Sequence, residues 1–254
     1  MNPVRIPRSI LLAISFALPI AGCGGSGHHD NTPNQTVGSR FVTVRSTPMP
    51  SEGVSEFSTP ASTGSITFVN GPAVPPLGFG SAQMATGSDG DSGEELRFTT
   101  LDGQLLTSIT SLEYWTYIQT GSGLQAPYAV MRIDWNGDNV QDDLIFFEPE
   151  YQHGYTALVP DQGDLVVAMW QSWDMSHGGW WSNNDSPNAG ADVRPLATYA
   201  AAHPGARVIA GTDGSGGLRL VVGYGAPPWT NFIGNVDALT VGLFGVATVY
   251  DLEP

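Results

Sequence analysis

Residues 128–147 read YAVMRIDWNGDNVQDDLIFF and hold two apolar runs on either side of a polar turn. Aromatic, branched and other apolar side chains predominate in Tyr128–Trp135 and Asp143–Phe147, and Asn, Asp and Gly fill the segment between them. Runs of this length, bounded by turn-forming residues, are typical of β-strands. The stretch therefore predicts two strands with a tight turn between them.

Runs of the same kind recur on both sides of this stretch, separated by Gly, Pro, Asn and Asp. They lie at Phe41–Val44, Ser65–Val69, Glu95–Thr99, Ser111–Gln119, Asp164–Trp173, Arg207–Gly211, Leu218–Tyr224, Ala238–Gly242 and Val246–Leu252. Many short strands with frequent turns predict an all-β fold, an antiparallel β-sandwich or jelly roll, rather than alternating strands and helices.

One segment departs from this pattern. Residues 194–203 are rich in alanine, with Pro195 near the start and Pro204-Gly205 directly after the end. Proline in the first turn and a Pro-Gly pair beyond the last turn are helix start and stop signals. We expect one short helix at about 194–203 that covers an edge or end of the sandwich.

The amino terminus has the features of an export signal. Arg5 and Arg8 precede the apolar run Ile10–Ile20, which is too short to span a bilayer permanently, and small residues follow. Ile20-Ala21-Gly22-Cys23 resembles the lipobox of bacterial lipoproteins. The resemblance implies cleavage after residue 22 and lipid attachment to Cys23, the single cysteine of the chain.

Three segments follow from this interpretation: a lipoprotein signal peptide at 1–22, a lipidated flexible tether at 23–40 and one β-sandwich domain at 41–254. The tether contains almost no apolar residue. The expected location is the cell envelope, with the lipid holding the protein to a membrane. Gly24 stands where the lipoprotein family has Asp for inner-membrane retention, which favours the outer membrane if the source is Gram-negative.

The charge of the chain excludes one class of partner. The net charge is −15, and removal of Arg5 and Arg8 with the signal would change −15 to −17. The sequence contains no lysine. Such a surface repels phosphate backbones, so we expect no nucleic-acid binding.

The polar turn carries a pattern that calcium sites use. Oxygen-bearing side chains occupy its positions 1, 3, 5 and 9: Asp134, Asn136, Asp138 and Asp142. Calcium prefers oxygen ligands at such spacing, although Asn139 replaces the usual glycine at position 6. The alternative is a turn built from Asn, Asp and Gly without metal. On either interpretation, we expect the fold to require no cofactor. The sequence suggests a structural calcium ion as a possible addition.

Tryptophans supply the candidate ligand surface. Trp180 and Trp181 follow two glycines in a predicted loop, and Trp173 and Trp229 add to the group. Indole faces can stack on sugar rings, which makes these four residues candidates for binding a polysaccharide. The alternative is that they form the core of the sandwich.

Three further stretches resemble a group of secreted, surface-anchored bacterial β-sandwich domains. They are Trp170–Asp174 with Gly178–Ser182, Leu196–Tyr199 with Pro204–Arg207, and Asn231–Gly242 with Val249–Glu253. The resemblance covers roughly residues 65–254 and implies a jelly-roll-like sandwich similar to carbohydrate-binding modules. It implies no activity.

Two functions from different classes remain open. The first is a non-catalytic envelope module that binds glycan or another extracellular ligand; the second is a structural or interaction protein whose partner is an envelope protein. A glycoside hydrolase is a third interpretation, with Glu148 and Glu150 as its carboxylate pair. Pro149 between them disturbs the strand, and no serine or histidine motif suggests another active site. We therefore expect no enzymatic activity.

Overall fold

The computed structural model describes residues 38–45, 50–121, 125–185, 192–225 and 227–254. These residues form fifteen strands and one α-helix. The strands are β1 (Ser39–Arg45), β2 (Val54–Ser58), β3 (Ser65–Asn70), β4 (Gly80–Ala85), β5 (Gly93–Phe98), β6 (Ile109–Thr120), β7 (Tyr128–Asp134), β8 (Asp143–Phe147), β9 (Trp170–Asp174), β10 (Gly179–Ser182), β11 (Arg194–Pro195), β12 (Arg207–Val208), β13 (Leu218–Gly223), β14 (Ile233–Leu243) and β15 (Val246–Glu253). The helix is α1 (Leu196–Ala202), and short 3-10 turns lie at Pro50–Glu52, Leu106–Ser108 and Pro149–Gln152.

The strands form two sheets. The first sheet has the order β1-β15-β14-β4-β3, with β6 also paired to β14 and β9 paired to β6. The second sheet has the order β11-β10-β8-β7-β13-β5-β2, with β12 paired to β7. Among the described strands all neighbours are antiparallel except β1 and β15, which are parallel. The all-β sandwich fold is confirmed.

Strand β14 organises the first sheet because it changes partner halfway along. Its first half pairs with β4 and its second half with β15, while β6 follows its other side and its register shifts between Asp237 and Thr240. Ala238 lies at this shift with a φ of 52°, a left-handed value that is uncommon for a residue with a side chain. The irregularity is a bulge that lets one long strand serve two neighbours.

The core lies between the two sheets. Aromatic pairs cross it: Phe98 contacts Tyr250 with ring centroids 5.1 Å apart, and Tyr114 contacts Phe147 at 6.2 Å. Alternate residues of β7 contribute their side chains to the core, namely Ala129, Met131 and Ile133. The intervening residues of β7 therefore point to the opposite face of the second sheet, since successive side chains of a strand alternate.

The predicted helix is confirmed and is shorter than expected. Helix α1 spans Leu196–Ala202, and the two residues before it form the short strand β11. Leu196, Tyr199 and Ala200 are buried in the core. The Tyr199 hydroxyl donates a hydrogen bond to the Trp180 carbonyl oxygen over 3.1 Å. The helix thus packs its apolar side against the sandwich.

Two strand predictions were wrong in part. Of the run Arg207–Gly211, only Arg207–Val208 is a strand. Asp164–Trp173 was expected to be one strand, but only Trp170–Asp174 is a strand, and Val166, Val167 and Met169 are exposed. Strands β2, β4 and β10 were not predicted at all. Gly, Ser, Ala or charged residues fill much of these strands, and such residues have low strand propensity.

The amino-terminal predictions lie outside the described residues. They are the signal peptide at 1–22, lipid attachment at Cys23 and most of the tether at 23–40. Strand β1 begins at Ser39, two residues inside the range expected for the tether. Within the described residues, no helix is both long and apolar enough to span a membrane.

Candidate functional site

The outward face of the second sheet carries a cleft. Tyr128, Val130 and Val221 are buried on this face as a small apolar cluster separate from the core, and Leu144 and Phe146 pack against it. The cleft above this floor has a volume of about 590 Å³. That size falls within the range of ligand pockets, which combine an apolar floor with a few polar groups.

One row of side chains crosses the cleft from edge to edge, and we call it the central row. Strand pairing places each member opposite the next, in the order Trp181 on β10, Phe146 on β8, Val130 on β7, Arg219 on β13 and Arg97 on β5. Neighbouring strands lie about 4.8 Å apart, so the distance from Trp181 to Arg219 along this row is ~14 Å. The cleft can therefore accommodate an extended ligand.

The aromatic end of the central row is a stacked pair. The rings of Trp181 and Phe146 lie 4.2 Å apart between centroids, with an angle of 10° between their planes. The Trp181 indole N–H donates a hydrogen bond to Glu148 Oε1 over 3.1 Å. The stack and the hydrogen bond together fix the orientation of the indole and leave it half-buried at the cleft wall.

A second aromatic pair closes one end of the cleft. The Trp229 ring lies 5.6 Å from that of Tyr128 and 4.9 Å from that of Phe232. The Tyr128 hydroxyl donates to the Gly223 carbonyl oxygen over 3.3 Å. Trp229 is partly exposed, so one part of the indole lines the cleft while the rest is packed.

The other end of the central row is ionic. Glu95 is buried; its Oε2 accepts a hydrogen bond from Arg97 Nε at 2.6 Å and forms an ion pair with Arg219 Nη1 at 3.1 Å. Its Oε1 accepts a hydrogen bond from the Tyr224 hydroxyl at 2.7 Å. Burial, together with this bond to Glu95, raises the pKa of Tyr224 to about 12. One carboxylate thus holds two guanidinium groups and a neutral phenol in place.

Glu148 lies on the far side of the cleft floor, next to Trp181. Burial raises the pKa of its carboxyl to about 7; the hydrogen bond from Trp181 acts in the opposite direction, and the neighbouring charge of Glu150 adds to the increase. Near neutral pH the side chain is therefore partly protonated. A protonated carboxyl can donate as well as accept a hydrogen bond.

The structure separates the four predicted tryptophans into two pairs. Trp181 and Trp229 line the cleft. Trp173 and Trp180 are fully buried in the core, where their indole N–H groups donate to Thr116 Oγ1 and to the Met175 carbonyl oxygen, each at 2.8 Å. The prediction that Trp173 and Trp180 belong to the ligand surface is corrected, because neither ring reaches solvent.

Several cleft residues were not singled out from the sequence as ligand candidates: Tyr128, Phe146, Glu95, Arg219 and Tyr224. They come from separate strands and one loop, and the register that brings them together is not visible in the sequence. One signal was available. The strands β7, β8 and β13 place apolar residues at consecutive positions, which indicates that both faces of the sheet are covered.

The polar turn at 134–143 is held by its own hydrogen bonds. Asp134 Oδ1 accepts from the backbone N–H of Gly137 at 2.6 Å, and its Oδ2 accepts from that of Asn139 at 2.8 Å. Asp142 Oδ2 accepts from the backbone N–H of Trp135 at 2.7 Å. Among the described residues, no group of three or more His, Cys, Asp or Glu side chains is placed to hold a metal ion.

Two details bear on the calcium prediction for Asp134, Asn136, Asp138 and Asp142. Asn139 has a φ of 65°, so it takes the left-handed conformation that the glycine at this position usually supplies. The carboxylate of Asp134, however, already accepts backbone N–H groups at both oxygens. These contacts match the metal-free turn, and calcium binding stays a prediction.

Carboxylate spacing bears on the hydrolase interpretation. Glu148 and Glu150 line a smaller neighbouring cavity of about 340 Å³. Across the main cleft, Glu148 on the β8 side and Glu95 on β5 are separated by three strand spacings, or ~14 Å of backbone. Glycosidase carboxyl pairs lie about 5–9.5 Å apart. The hydrolase interpretation, with Glu148 and Glu150 as its pair, stays a prediction.

The fold and the cleft define an all-β sandwich domain with an aromatic and ionic cleft on one sheet. No protein-family model matches the chain, and no curated protein matches it. A solved structure with a similar fold is the family 11 carbohydrate-binding module of a cellulosomal cellulase of Clostridium thermocellum. The match has a TM-score of 0.38 and 10% identity and covers 80% of this chain and 90% of that one. At this level of similarity, the likeness carries no argument about the ligand.

Proposed function

We propose that this protein is a non-catalytic glycan-binding protein of the cell envelope, anchored by lipid on Cys23, and that the cleft on the second sheet is its binding site. The observation that carries the proposal is the stacked pair of Trp181 and Phe146 beside hydrogen-bonding groups. The C–H face of a sugar ring packs on an aromatic ring, and its hydroxyl groups need donors and acceptors at the edge of that ring.

The polar groups around the cleft suit hydroxyl recognition. Glu148 lies directly beside the Trp181 indole, and Tyr224 and Arg219 lie at the opposite end. These side chains are already fixed by contacts within the protein, so little side-chain freedom is lost when a ligand binds. A rigid cleft with apolar rings and fixed polar groups is the arrangement expected for specific recognition of a polar, ring-shaped ligand.

Affinity electrophoresis in gels that contain soluble polysaccharides tests the proposal. The panel includes neutral β-glucans, xylans and mannans, and acidic polysaccharides. We expect the wild-type chain to be retarded by at least one polymer, and Trp181→Ala to lose most of that retardation. Trp170→Ala is the matched control, because Trp170 is a half-buried tryptophan on the first sheet, away from the cleft.

Two results would contradict the proposal. Retardation by no polysaccharide in the panel would favour the structural or interaction protein. Release of new reducing ends from a bound polymer, lost in Glu148→Gln, would favour the glycoside hydrolase instead.

A further inference from the structure

Glu148 is half-buried and lines two adjoining cavities. One is the cleft of about 590 Å³ and the other is the neighbouring cavity of about 340 Å³. Its Oε1 accepts the hydrogen bond from the Trp181 indole N–H at 3.1 Å, and no hydrogen bond from another described residue reaches its Oε2. One oxygen of this carboxyl is therefore left for a ligand in these cavities.

In the part of the chain that the structure describes, no cation pairs with this carboxyl. The sequence contains no lysine, and none of the ion pairs among the described residues includes Glu148 or Glu150. The guanidinium of Arg219 belongs to a strand two spacings from β8, ~10 Å of backbone away, and is paired with Glu95 at 3.1 Å. Burial of an unpaired carboxylate is costly, and a ligand that brings positive charge offsets that cost.

The charged groups that line the two cavities favour a cation. Among the described residues they are three carboxyl groups and one guanidinium group: Glu95, Glu148, Glu150 and Arg219. Glu95 and Arg219 neutralise each other, which leaves Glu148 and Glu150. Burial raises the pKa of both of these carboxyls, to about 7 for Glu148. Near neutral pH a proton is therefore the counter-charge that Glu148 holds, and an ammonium group can take its place.

Aromatic side chains line the same space. Tyr128 and Trp229 line both cavities, Trp181 lines the cleft, and Tyr151 lines the smaller cavity. The negative face of such a ring attracts a cation within ~6 Å of the ring centre, and tryptophan does so most strongly. A carboxyl group beside several rings thus suits an ammonium group. A sugar hydroxyl can also bond to the carboxyl, but it leaves the charge of the carboxylate without a partner.

We propose that the cleft selects a glycan with free amino groups, and that Glu148 binds the ammonium group of an amino sugar beside Trp181 and Trp229. This inference rests on the proposed function and names its substrate class. The sugar ring packs on the stacked pair of Trp181 and Phe146, and the amino group meets the carboxyl that the same indole contacts. Since the indole and the carboxyl are neighbours, one sugar unit can make both contacts.

Isothermal titration calorimetry on the full chain in mild detergent, at pH 7 and physiological ionic strength, tests the inference with four ligands. They are β-1,4-linked hexamers of glucosamine, N-acetylglucosamine and glucose, and a hexamer peptide of lysine. Acetylation removes the charge of each amino group and keeps the sugar backbone, and the salt screens attraction between distant charges. We expect the glucosamine hexamer to bind at least about tenfold more tightly than the acetylated hexamer, because acetylation removes a charge-assisted contact.

Two variants that each remove one carboxylate separate the site from general attraction to an acidic protein. Glu148→Gln removes the charge at the site and keeps an acceptor for the Trp181 indole. Glu113→Gln is the matched control, because Glu113 is exposed on β6 of the first sheet. We expect the preference for the glucosamine hexamer over its acetylated form to disappear in Glu148→Gln and to persist in Glu113→Gln. Near-ultraviolet circular dichroism confirms the fold of each variant.

The outcomes distinguish this inference from the proposed function. If the acetylated or the glucose hexamer binds as tightly as the glucosamine hexamer, the amino-sugar assignment is overturned while the glycan-binding function stands. A preference that survives in Glu148→Gln, or that Glu113→Gln loses equally, also overturns it. Equally tight binding of the lysine peptide overturns the assignment to a sugar. If none of the four ligands binds, the inference is overturned, and the polysaccharide panel alone then decides the proposed function.

Discussion

Trp181 donates its indole N–H to Glu148 over 3.1 Å, and this contact joins the aromatic wall of the cleft to a carboxyl group whose pKa burial raises to about 7. The orientation of the indole ring and the protonation of the carboxyl are thus coupled. A change in the protonation of Glu148 changes the strength of the hydrogen bond that orients the indole, and loss of the indole changes the pKa of Glu148.

Glu148 gives the stability of the protein a defined dependence on pH. Its pKa is raised from the model-peptide value of 4.5 to about 7 in the folded state. Between these values the folded protein retains a proton that the unfolded chain releases, so the free energy of unfolding falls as pH rises from 4.5 to 7. We expect Glu148→Gln to match the wild type at pH 4 and to exceed its stability by about 2 kcal/mol at pH 8.

Chemical denaturation of both proteins at the two pH values measures this difference. The half-buried carboxyl of Asp102 and the buried carboxyl of Asp237 also have raised pKa values, of about 6 and about 7, and are unchanged in the variant. Trp181→Phe adds an independent check, because it removes the donor that lowers the pKa of Glu148; that pKa should then rise further. Equal pH dependence in the wild type and Glu148→Gln would contradict the assignment.

The adjacent tryptophans Trp180 and Trp181 should differ sharply in their effect on stability. Trp180 is fully buried, and its ring packs 5.6 Å from that of Phe147. We expect Trp180→Ala to lower the free energy of unfolding by about 3–5 kcal/mol. Trp181→Ala should cost clearly less, because its ring is partly solvated at the cleft wall. Thermal unfolding compares the two variants, and equal losses would place both rings in the core.

The turn at 134–143 should depend strongly on Asp134. Burial acts to raise the pKa of this carboxyl, but hydrogen bonds from the backbone N–H groups of four turn residues outweigh that effect and lower it: Asn139, Gly137, Asn136 and Asp138. Asp134→Ala leaves these donors without their acceptor and should cost about 2 kcal/mol of stability. Because its pKa is lowered, Asp134 stabilises the fold above the unfolded pKa, and this contribution is lost as pH falls through the folded pKa.

Calcium provides the second readout on this turn. The existing hydrogen bonds to Asp134 match a turn without metal, and the same unfolding temperature in chelator and in millimolar calcium would reject the predicted site. A rise in calcium would instead support the site predicted at Asp134, Asn136, Asp138 and Asp142, because a ligand that binds only the folded state stabilises it. Asp142→Asn should abolish such a rise if the site is real.

Lipid attachment at Cys23 predicts where the protein is found in cells. We expect the wild-type chain in the membrane fraction and Cys23→Ser in the soluble or secreted fraction, because two or more acyl chains are needed for stable anchoring. Metabolic labelling with a fatty acid should mark the wild type alone. A labelled Cys23→Ser protein, or an unlabelled wild type, would contradict the proposal.

More of the fold than of the cleft could be predicted from the sequence. Strands such as β7 and β8 follow directly from apolar runs between turn residues, and the Pro and Gly signals around α1 indicated a helix. Strand β10 was missed because glycine and serine flank its two tryptophans, and the segment was interpreted as a loop. Since successive strand residues face opposite sides, recognition of β10 would have placed Trp180 and Trp181 on different faces.

The cleft could not be assembled from the sequence because it depends on strand order. Trp181, Phe146, Arg219 and Glu95 come from four strands, and only the pairing of β10, β8, β7, β13 and β5 brings them into one site. Residues 95 and 219 are far apart in the chain, and nothing local indicates that their strands are neighbours.

A crystal structure of the protein with a bound oligosaccharide tests the central claim most directly. The account predicts a sugar ring against Trp181 and Phe146, inside the cleft of the second sheet. An oligosaccharide bound to the first sheet, or to the loops at either end of the sandwich with the cleft unoccupied, would contradict it.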